Sequence, residues 1–367
     1  MDSPQLLLPV PRNLLLSESV YALPSQALLV ISHSSLLFEA QSLQSAISQF
    51  ANLNWDIVAG TNYPNIGVEL RLDDSQTHPE GYQLSITSSG ITVTAKQASG
   101  IFYGVCTLNQ LLQQYQTQLP CLTIDDWPDF PARGVMLDIS RDKVPTLQTI
   151  LDLVEKLATL KVNQLQLYME HTFAYRNHPD VWAEATPFTG EDILKLDAYC
   201  RQNGVELVPN QNSLGHTERW LKHARYSFGR MPRWLRITLG GHSPPPPSIR
   251  STPAASNSWR CLYDELLPHF TSKLLNVGGD EPWELGKGKS KSEVEARGGR
   301  VYLDYITKLH REVTARGHKM QFWGDIIVHY PDLVPELPKD VTAMLWGYAR
   351  RTIINWTGMV TWSVVTS

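Results

Sequence analysis

The chain has 367 residues, of which 42% are hydrophobic and 19% charged, so a sizeable core can be buried and wholesale disorder is excluded. Its net charge of −4 gives no electrostatic basis for binding nucleic acid or an acidic membrane surface, and no apolar run is long enough for a spanning helix. The four cysteines are widely spaced without a CxxC pair, which argues against a disulfide framework or a zinc site. The N-terminus lacks the basic segment of a signal peptide, which predicts a cytoplasmic location.

The first 126 residues read as a small α+β domain. Alternating apolar and polar residues predict four strands followed by one amphipathic helix, over Gln26–Ser32, Gly67–Leu72, Tyr82–Thr87, Ile91–Lys96 and Gly100–Tyr115. Ser88-Ser89-Gly90 is a hairpin signal between the last two strands. Proline and acidic turn formers in Ile124–Pro128 predict a boundary, so we expect one domain over 1–126 and a second over 127–367.

Beyond that boundary, short apolar strands alternate with amphipathic helices. The expected strands are Gly134–Ser140, Gln164–Glu170, Val205–Pro209, Lys273–Asp280, Met320–Ile326 and Thr342–Trp346, and the expected helices are Thr146–Lys161, Glu191–Asn203, Leu262–Phe270 and Tyr302–Arg316. Such βαβ units build either a closed (β/α)₈ TIM barrel or an open doubly wound sheet. No GxGxxG or GxxxxGK[ST] motif follows any strand, so the sequence favours an α/β fold of the barrel type.

The expected strands end in polar and aromatic residues, which a barrel would gather at one mouth. These ends are Asp138–Arg141, Glu170-His171, Pro209–Asn212 with His216 just beyond, Gly278–Glu281, Trp323–Asp325 and Trp346–Tyr348. Carboxylates, imidazoles and indoles together are the equipment of a glycosidase. Two adjacent carboxylates in a cleft repel each other, which can raise the pKa of one enough for a general acid. The alternative is a solvated Asp-Glu pair in a loop.

Four motifs, in order along the chain, resemble glycoside hydrolase family 20, the β-N-acetylhexosaminidases. They are FPARGVMLDISR (130–141), LVP (207–209) leading to GHT (215–217), LLNVGGDEPW (274–283) and QFWGD (321–325). The N-terminal SGIFYGVCTLNQLL resembles the small domain that precedes the barrel in that family. The DxxDxDxE strand of the chitinase-like hydrolases is absent, which argues against that family.

The resemblance implies substrate-assisted, retaining hydrolysis of terminal non-reducing β-linked GlcNAc or GalNAc. The acetamido oxygen of the substrate attacks the anomeric carbon, Glu281 serves as general acid/base, and Asp280 orients and stabilises the acetamido nitrogen. Its partners would be oligosaccharides or glycoconjugates that carry N-acetylhexosamine, with no cofactor, metal, nucleic acid or membrane.

Further substrate-binding residues follow from the same resemblance. These are Arg133, Glu170, His171, His216, Trp323, Asp325 and Trp346. Arg133 would bind sugar hydroxyls through its forked guanidinium, and the two tryptophans would wall the pocket. Each also has a purely structural alternative, such as an ion pair for Arg133 or a core position for the tryptophans. Glu170-His171 departs from the paired aspartates of many members.

Two stretches depart from the family pattern. The segment 219–261 is basic and proline-rich without any acidic residue, and it fits a long loop, an aglycone-binding insertion or an out-of-frame stretch. The tail after Tyr348 also lacks acidic residues, and six expected strands leave a (β/α)₈ barrel incomplete. The alternative function is therefore a truncated, non-catalytic relative that at most binds N-acetyl sugars.

Overall fold

The computed structural model describes residues 6–223, 258–282, 285–286, 291–346 and 360–361. The chain divides into two compact units. Unit 1 comprises Met1–Gly134 with Leu151–Gln164 and Cys200–Val205, and unit 2 comprises Val135–Ile150, Leu165–Tyr199 and Glu206–Ser367.

Unit 1 is built on a seven-stranded mixed sheet with the strand order β1-β7-β5-β6-β4-β2-β3. Its elements are β1 (Asn13–Ala22), β2 (Leu28–Ile31), α1 (Leu37–Ala46), β3 (Asp56–Ala59), β4 (Ile66–Leu72), β5 (Tyr82–Thr87), β6 (Gly90–Ala95), α2 (Ala98–Tyr115) and β7 (Gln118–Asp126). Strands β2, β3, β4 and β6 pair in parallel, whereas β1, β5 and β7 make antiparallel pairs.

Local sequence pattern accounts for the middle of this sheet. In β5 the alternating residues Tyr82, Leu84 and Ile86 are buried, as the period of a half-buried strand requires. Thr87 pairs with Gly90, so the expected hairpin is confirmed. β1, β3, β7 and α1 are not among the elements expected from the sequence. β1 and β7 pair with each other across about a hundred residues of chain, which no local pattern reveals.

The strands of unit 2 follow one another in chain order. Its sheets run β10-β9-β8 and β11-β12-β13-β14, and a parallel bridge between Asn210 and Asn276 joins β10 to β11. The strands are β8 (Gly134–Asp138), β9 (Gln164–Tyr168), β10 (Glu206–Val208), β11 (Leu274–Asn276), β12 (Lys319–Trp323), β13 (Thr342–Leu345) and β14 (Val360–Thr361). The short β14 adds a seventh strand to the six expected.

The helices of the barrel lie between these strands. They are α3 (Leu147–Thr159), α4 (Pro179–Trp182), α5 (Gly190–Gln202), α6 (Glu218–Leu221), α7 (Ser258–Leu266), α8 (Lys291–Arg297) and α9 (Arg300–Thr314). Thr146 caps α3 as expected, because its Oγ1 accepts a hydrogen bond of 3.2 Å from the Thr149 amide. Gly204, with φ of +66°, lies just beyond the end of α5, where a left-handed residue is favoured.

Part of each unusual stretch lies outside the described residues. Of the basic segment 219–261, residues 224–257 are outside them, and so are 347–359 and 362–367 of the tail. Within the described parts of the chain, no helix combines the length and the apolar character needed to cross a membrane.

Candidate active site

The site begins where β11 ends. Gly278 and Gly279 follow the strand with φ values of +70° and +94°, a backbone region that L side chains rarely adopt. A Cβ atom on Gly278 would lie 2.2 Å from Asn212 Oδ1, so only glycine allows the chain to pass this close to Asn212. The kinked strand end delivers Asp280 and Glu281 to the carboxyl ends of the strands, where barrel chemistry is located.

Asp280 is held from two sides. Asn212 Nδ2 donates a hydrogen bond of 3.3 Å to its Oδ1, and His216 Nε2 lies 3.3 Å from its Oδ2. The side chain of Asp280 is 14% exposed, so this carboxylate works in surroundings where charge interactions are stronger than in water.

Glu281 is more open. Its side chain is 35% exposed, and its Oε2 lies 3.8 Å from His216 Nε2. Its φ of +43° is held by a hydrogen bond of 3.1 Å from its amide to Asp325 Oδ2. An accessible carboxyl on a fixed backbone is the geometry that a proton-transferring group requires.

His216 links the acidic groups of the site. Besides the two catalytic candidates, Glu170 Oε1 lies 3.9 Å from its Nδ1. The nearby carboxylate of Asp280 raises the pKa of His216 above its usual value, and the charge of Glu170 acts in the same direction. The imidazolium form is therefore favoured beside these carboxylates.

Glu170 is surrounded by polar groups that hydrogen-bond to it. Its amide donates a 2.7 Å bond to Ser140 Oγ, and the hydroxyl of Tyr168 donates to its Oε1 at 3.2 Å. The same hydroxyl accepts a 2.8 Å bond from Asn212 Nδ2, which connects Glu170 to the Asp280 side of the site. Burial raises the pKa of Glu170.

Asp325 lies next to Glu281 in the folded chain. Burial, with the charges of Asp280 and Glu281, raises its pKa to about 6. Its Oδ1 is buried without a hydrogen-bond partner among the described residues. Its observed contact is with the backbone of Glu281, which gives it a positioning role, and its contact with a sugar hydroxyl stays a prediction.

The remaining aromatic and imidazole candidates lie at strand ends as expected. Trp323 ends β12, and its amide donates to the Gly278 carbonyl at 2.9 Å. Trp346 follows β13 and is partly buried. His171 is buried next to Glu170 and lines a neighbouring cavity.

Arg133 is not brought to this cluster. It precedes β8, at the opposite end of the strand from the chemistry, and its partners belong to unit 1. Its guanidinium donates to Glu80 Oε2 at 3.0 Å and to the Tyr103 hydroxyl at 2.7 Å. The expectation of a sugar-binding Arg133 is corrected to an ion-paired arginine of unit 1.

Arg141 lies at the site although it is not among the residues expected from the sequence. It follows the carboxyl end of β8, where its Nε donates a 2.5 Å bond to Asp138 Oδ2 and lies 3.9 Å from Glu170 Oε1. Its guanidinium covers the ring of Tyr168 at 4.9 Å. The sequence already shows both arginines, since Arg133 and Arg141 lie in the same motif, and the bounds of β8 show which of them lies at its carboxyl end.

The donor atoms do not favour a metal. Within the described residues, no group of three or more His, Cys, Asp or Glu side chains has the arrangement of a metal site. The carboxylates of the site are instead paired with imidazole, amide and hydroxyl donors. Such an arrangement can donate a proton and stabilise a developing positive charge.

Comparison with known families decides the assignment. Residues 5–127 match glycosyl hydrolase family 20, domain 2, and residues 130–367 match the catalytic domain of the same family. The chain belongs to glycoside hydrolase family 20. Its fold is accordingly the small α+β domain followed by the TIM-barrel-type catalytic domain of family 20.

Curated relatives are about a quarter identical to this family 20 chain over the aligned residues. The lacto-N-biosidase of Bifidobacterium bifidum is 27% identical over 91% of the chain, and the match covers 31% of that relative. The β-hexosaminidase of Akkermansia muciniphila is 26% identical over 69% of the chain and 57% of the relative. The chain thus spans less than two thirds of the length of these relatives.

Solved structures share the fold. The β-N-acetylhexosaminidase of Bacteroides fragilis has a TM-score of 0.73 at 19% identity, covering 93% of this chain and 70% of that one. The family 20 exo-β-N-acetylglucosaminidase of Vibrio harveyi, solved with N-acetylglucosamine, has a TM-score of 0.74 at 17% identity, covering 94% and 58%.

Proposed function

We propose that this chain hydrolyses terminal, non-reducing β-linked GlcNAc or GalNAc from oligosaccharides or glycoconjugates, with 127–367 as its catalytic domain and 1–126 as the domain before it. The observation that carries the proposal is the adjacent pair Asp280 and Glu281 at the end of β11, with His216 Nε2 within 4 Å of both. Family membership supports the same reaction.

The reaction proceeds with help from the substrate. The acetamido oxygen attacks the anomeric carbon while Glu281 donates its proton to the departing glycosidic oxygen. The oxazolinium intermediate that results carries positive charge on the acetamido nitrogen, beside the carboxylate of Asp280. Glu281, now a carboxylate, takes a proton from water as that water attacks the anomeric carbon, which restores the acetamido group and retains the β configuration.

The surrounding residues keep the two carboxylates in their roles. Asn212 fixes the Asp280 carboxylate by donating to its Oδ1, and His216 Nε2 lies 3.3 Å from its Oδ2, so the charge needs no rearrangement when the cation develops. Arg141 takes the hydroxyl-binding role first expected of Arg133, because its guanidinium donors lie at the site end of β8. Trp323 and Trp346 supply apolar wall to the sugar.

The decisive experiment measures release of GlcNAc from N,N′-diacetylchitobiose and of nitrophenol from an aryl β-N-acetylglucosaminide. We expect Glu281→Gln to lower kcat on the disaccharide about 10³-fold, because its leaving group needs the proton, and less on the aryl substrate. Asp280→Asn should lower kcat on both. The exposed Glu295→Gln on α8 is the matched control and should retain full activity.

An aryl β-glucoside, which lacks the acetamido group, tests substrate assistance directly and should not be hydrolysed. Turnover that survives in Glu281→Gln on the disaccharide contradicts the assignment of the acid. A folded parent that binds GlcNAc without any turnover would favour the non-catalytic alternative.

A further inference from the structure

A cavity lies in unit 2 beside the catalytic cluster, the group formed by Asp280, Glu281, His216 and Glu170. It encloses about 290 Å³ and is lined by residues that include Ser140, Asp142, Lys143, His171, Arg219 and Lys222. Two of these residues touch or adjoin Glu170. Ser140 Oγ accepts from the Glu170 amide at 2.7 Å, and His171 is the next residue in the chain. The cavity therefore borders the site where the glycan would be bound.

The walls of this cavity carry an excess of positive charge. Its three cations are Lys143, Arg219 and Lys222, and its two carboxylates are Asp142 and Glu184. Lys222 Nζ pairs with Glu184 Oε2 at 2.8 Å. That ion pair leaves Lys143 and Arg219 against the single charge of Asp142.

The buried side chain of His171 lies in the same positively charged surroundings. Only 6% of its surface is exposed, and its Nδ1 has no hydrogen-bond partner among the described residues. Burial lowers its pKa, and the charges of Arg219 and Lys222 lower it further. A neutral imidazole near two cations is a place where an anion is favoured and a further cation is not.

We propose that this cavity binds an anionic group of the glycan, either a sulfate ester or a carboxylate, while the N-acetylhexosamine occupies the catalytic cluster. The proposal rests on the proposed function and narrows its substrates to acidic glycans. Arg219 offers forked donors that match the oxygens of either anion, and Lys143 adds a second charge. Asp142 and the hydroxyl of Thr172 are suited to the neighbouring sugar hydroxyls.

The test is a binding measurement, so it does not depend on turnover. Isothermal titration calorimetry compares GlcNAc with its 3-, 4- and 6-O-sulfates. A second comparison uses GlcNAc β-linked to glucuronic acid and the methyl ester of that disaccharide. We expect about tenfold tighter binding of at least one charged ligand than of its neutral counterpart, as a charge-assisted hydrogen bond allows. The sulfate and uronate arms identify the source of the charge.

Variants assign the preference to the cavity. Arg219→Ala combined with Lys143→Ala should abolish the gain for the charged ligand and leave affinity for neutral GlcNAc unchanged. Lys308→Ala removes an exposed cation of α9 and should preserve the gain. Equal affinity for charged and neutral ligands, no binding of any of them, or a gain that survives in the double variant overturns the proposal.

The outcomes also separate this inference from the proposed function. Hydrolysis of neutral substrate without any charge preference removes the anion subsite and keeps the hexosaminidase. Charge-dependent binding that requires Arg219, without hydrolysis of any substrate, keeps the subsite and removes the proposed activity.

Discussion

Each unit buries a cluster of ionisable side chains, and the two clusters differ in how completely they are paired. In unit 1, Lys161 Nζ donates to the Tyr82 hydroxyl at 2.9 Å and to Asp126 Oδ2 at 3.1 Å. Tyr82 also donates to Asp126 at 3.0 Å and bonds to Thr107 at 2.7 Å. This cluster has a partner for each charge.

The cluster of unit 2 is less completely paired. Asp325 Oδ1 is buried without a partner among the described residues, and His216 and Glu281 both have φ of +43°. Unsatisfied atoms and a left-handed backbone cost stability, and they persist where function selects them. Burial of charged side chains alone therefore does not indicate a functional site, whereas incompletely hydrogen-bonded charged groups at strand ends do.

The largest expected effect on stability comes from removing the lysine of the fully paired cluster in unit 1. Lys161→Met would leave the buried Asp126 carboxylate without its cation, and we expect the free energy of unfolding to fall by about 3 kcal/mol. Urea denaturation measures this loss. Hydrolytic activity per folded molecule should be unchanged, and a large fall in kcat would contradict a purely structural role for this cluster.

A substitution of Asp325, in the incompletely paired cluster of unit 2, should raise the free energy of unfolding instead of lowering it. The raised pKa of Asp325 means that its contribution to stability is complete below the unfolded pKa near 3.9 and is lost as pH rises through about 6. Asp325→Asn should therefore unfold with about 2 kcal/mol more free energy than the parent at pH 7.5, and with equal free energy near pH 3.5.

The gain in stability should accompany a loss of function. Asparagine replaces the charge-assisted acceptor for the Glu281 amide with a weaker one, so kcat should fall about tenfold. Denaturation at the two pH values and steady-state kinetics measure both effects. A variant that is less stable at pH 7.5 would show that Asp325 is better paired than its buried Oδ1 indicates.

The smallest expected effects come from a matched pair of tyrosines. Tyr82→Phe and Tyr168→Phe each remove one buried hydroxyl, and each should cost about 1–2 kcal/mol of unfolding free energy. Only Tyr168→Phe should also lower kcat, by several-fold, because its hydroxyl joins Glu170 to Asn212. Equal kinetic effects of the two variants would remove the distinction between the clusters.

The alternation of strands and helices in unit 2 was predictable because each element carries its own period. The carboxylate pair Asp280-Glu281 was also predictable, because the two glycines before it indicate a kinked strand end. The expectation for Arg133 failed for a geometric reason. Arg133 and Arg141 flank one five-residue strand, and only its bounds at Gly134 and Asp138 show which arginine lies at the carboxyl end.

Other features required the folded chain. The strand β1 is recognisable only through its antiparallel pairing with β7, far away in the sequence. The positioning contact between Asp325 and the Glu281 amide depends on a left-handed backbone at a non-glycine residue, which no local pattern specifies. The charged cavity combines residues from the chain segments that follow β8, β9 and β10, so composition and motif spacing do not reveal it.

The loops that follow β10 and β11 pack closely against each other at two glycine residues. A Cβ atom on Gly215 would lie 2.4 Å from the Asp280 carbonyl oxygen, just as one on Gly278 would meet Asn212. The shapes of the two loops depend on each other, because each occupies the space that the missing side chain of the other leaves. A side chain at either glycine would therefore hold the two loops apart, and a change in the shape of one loop would displace the other.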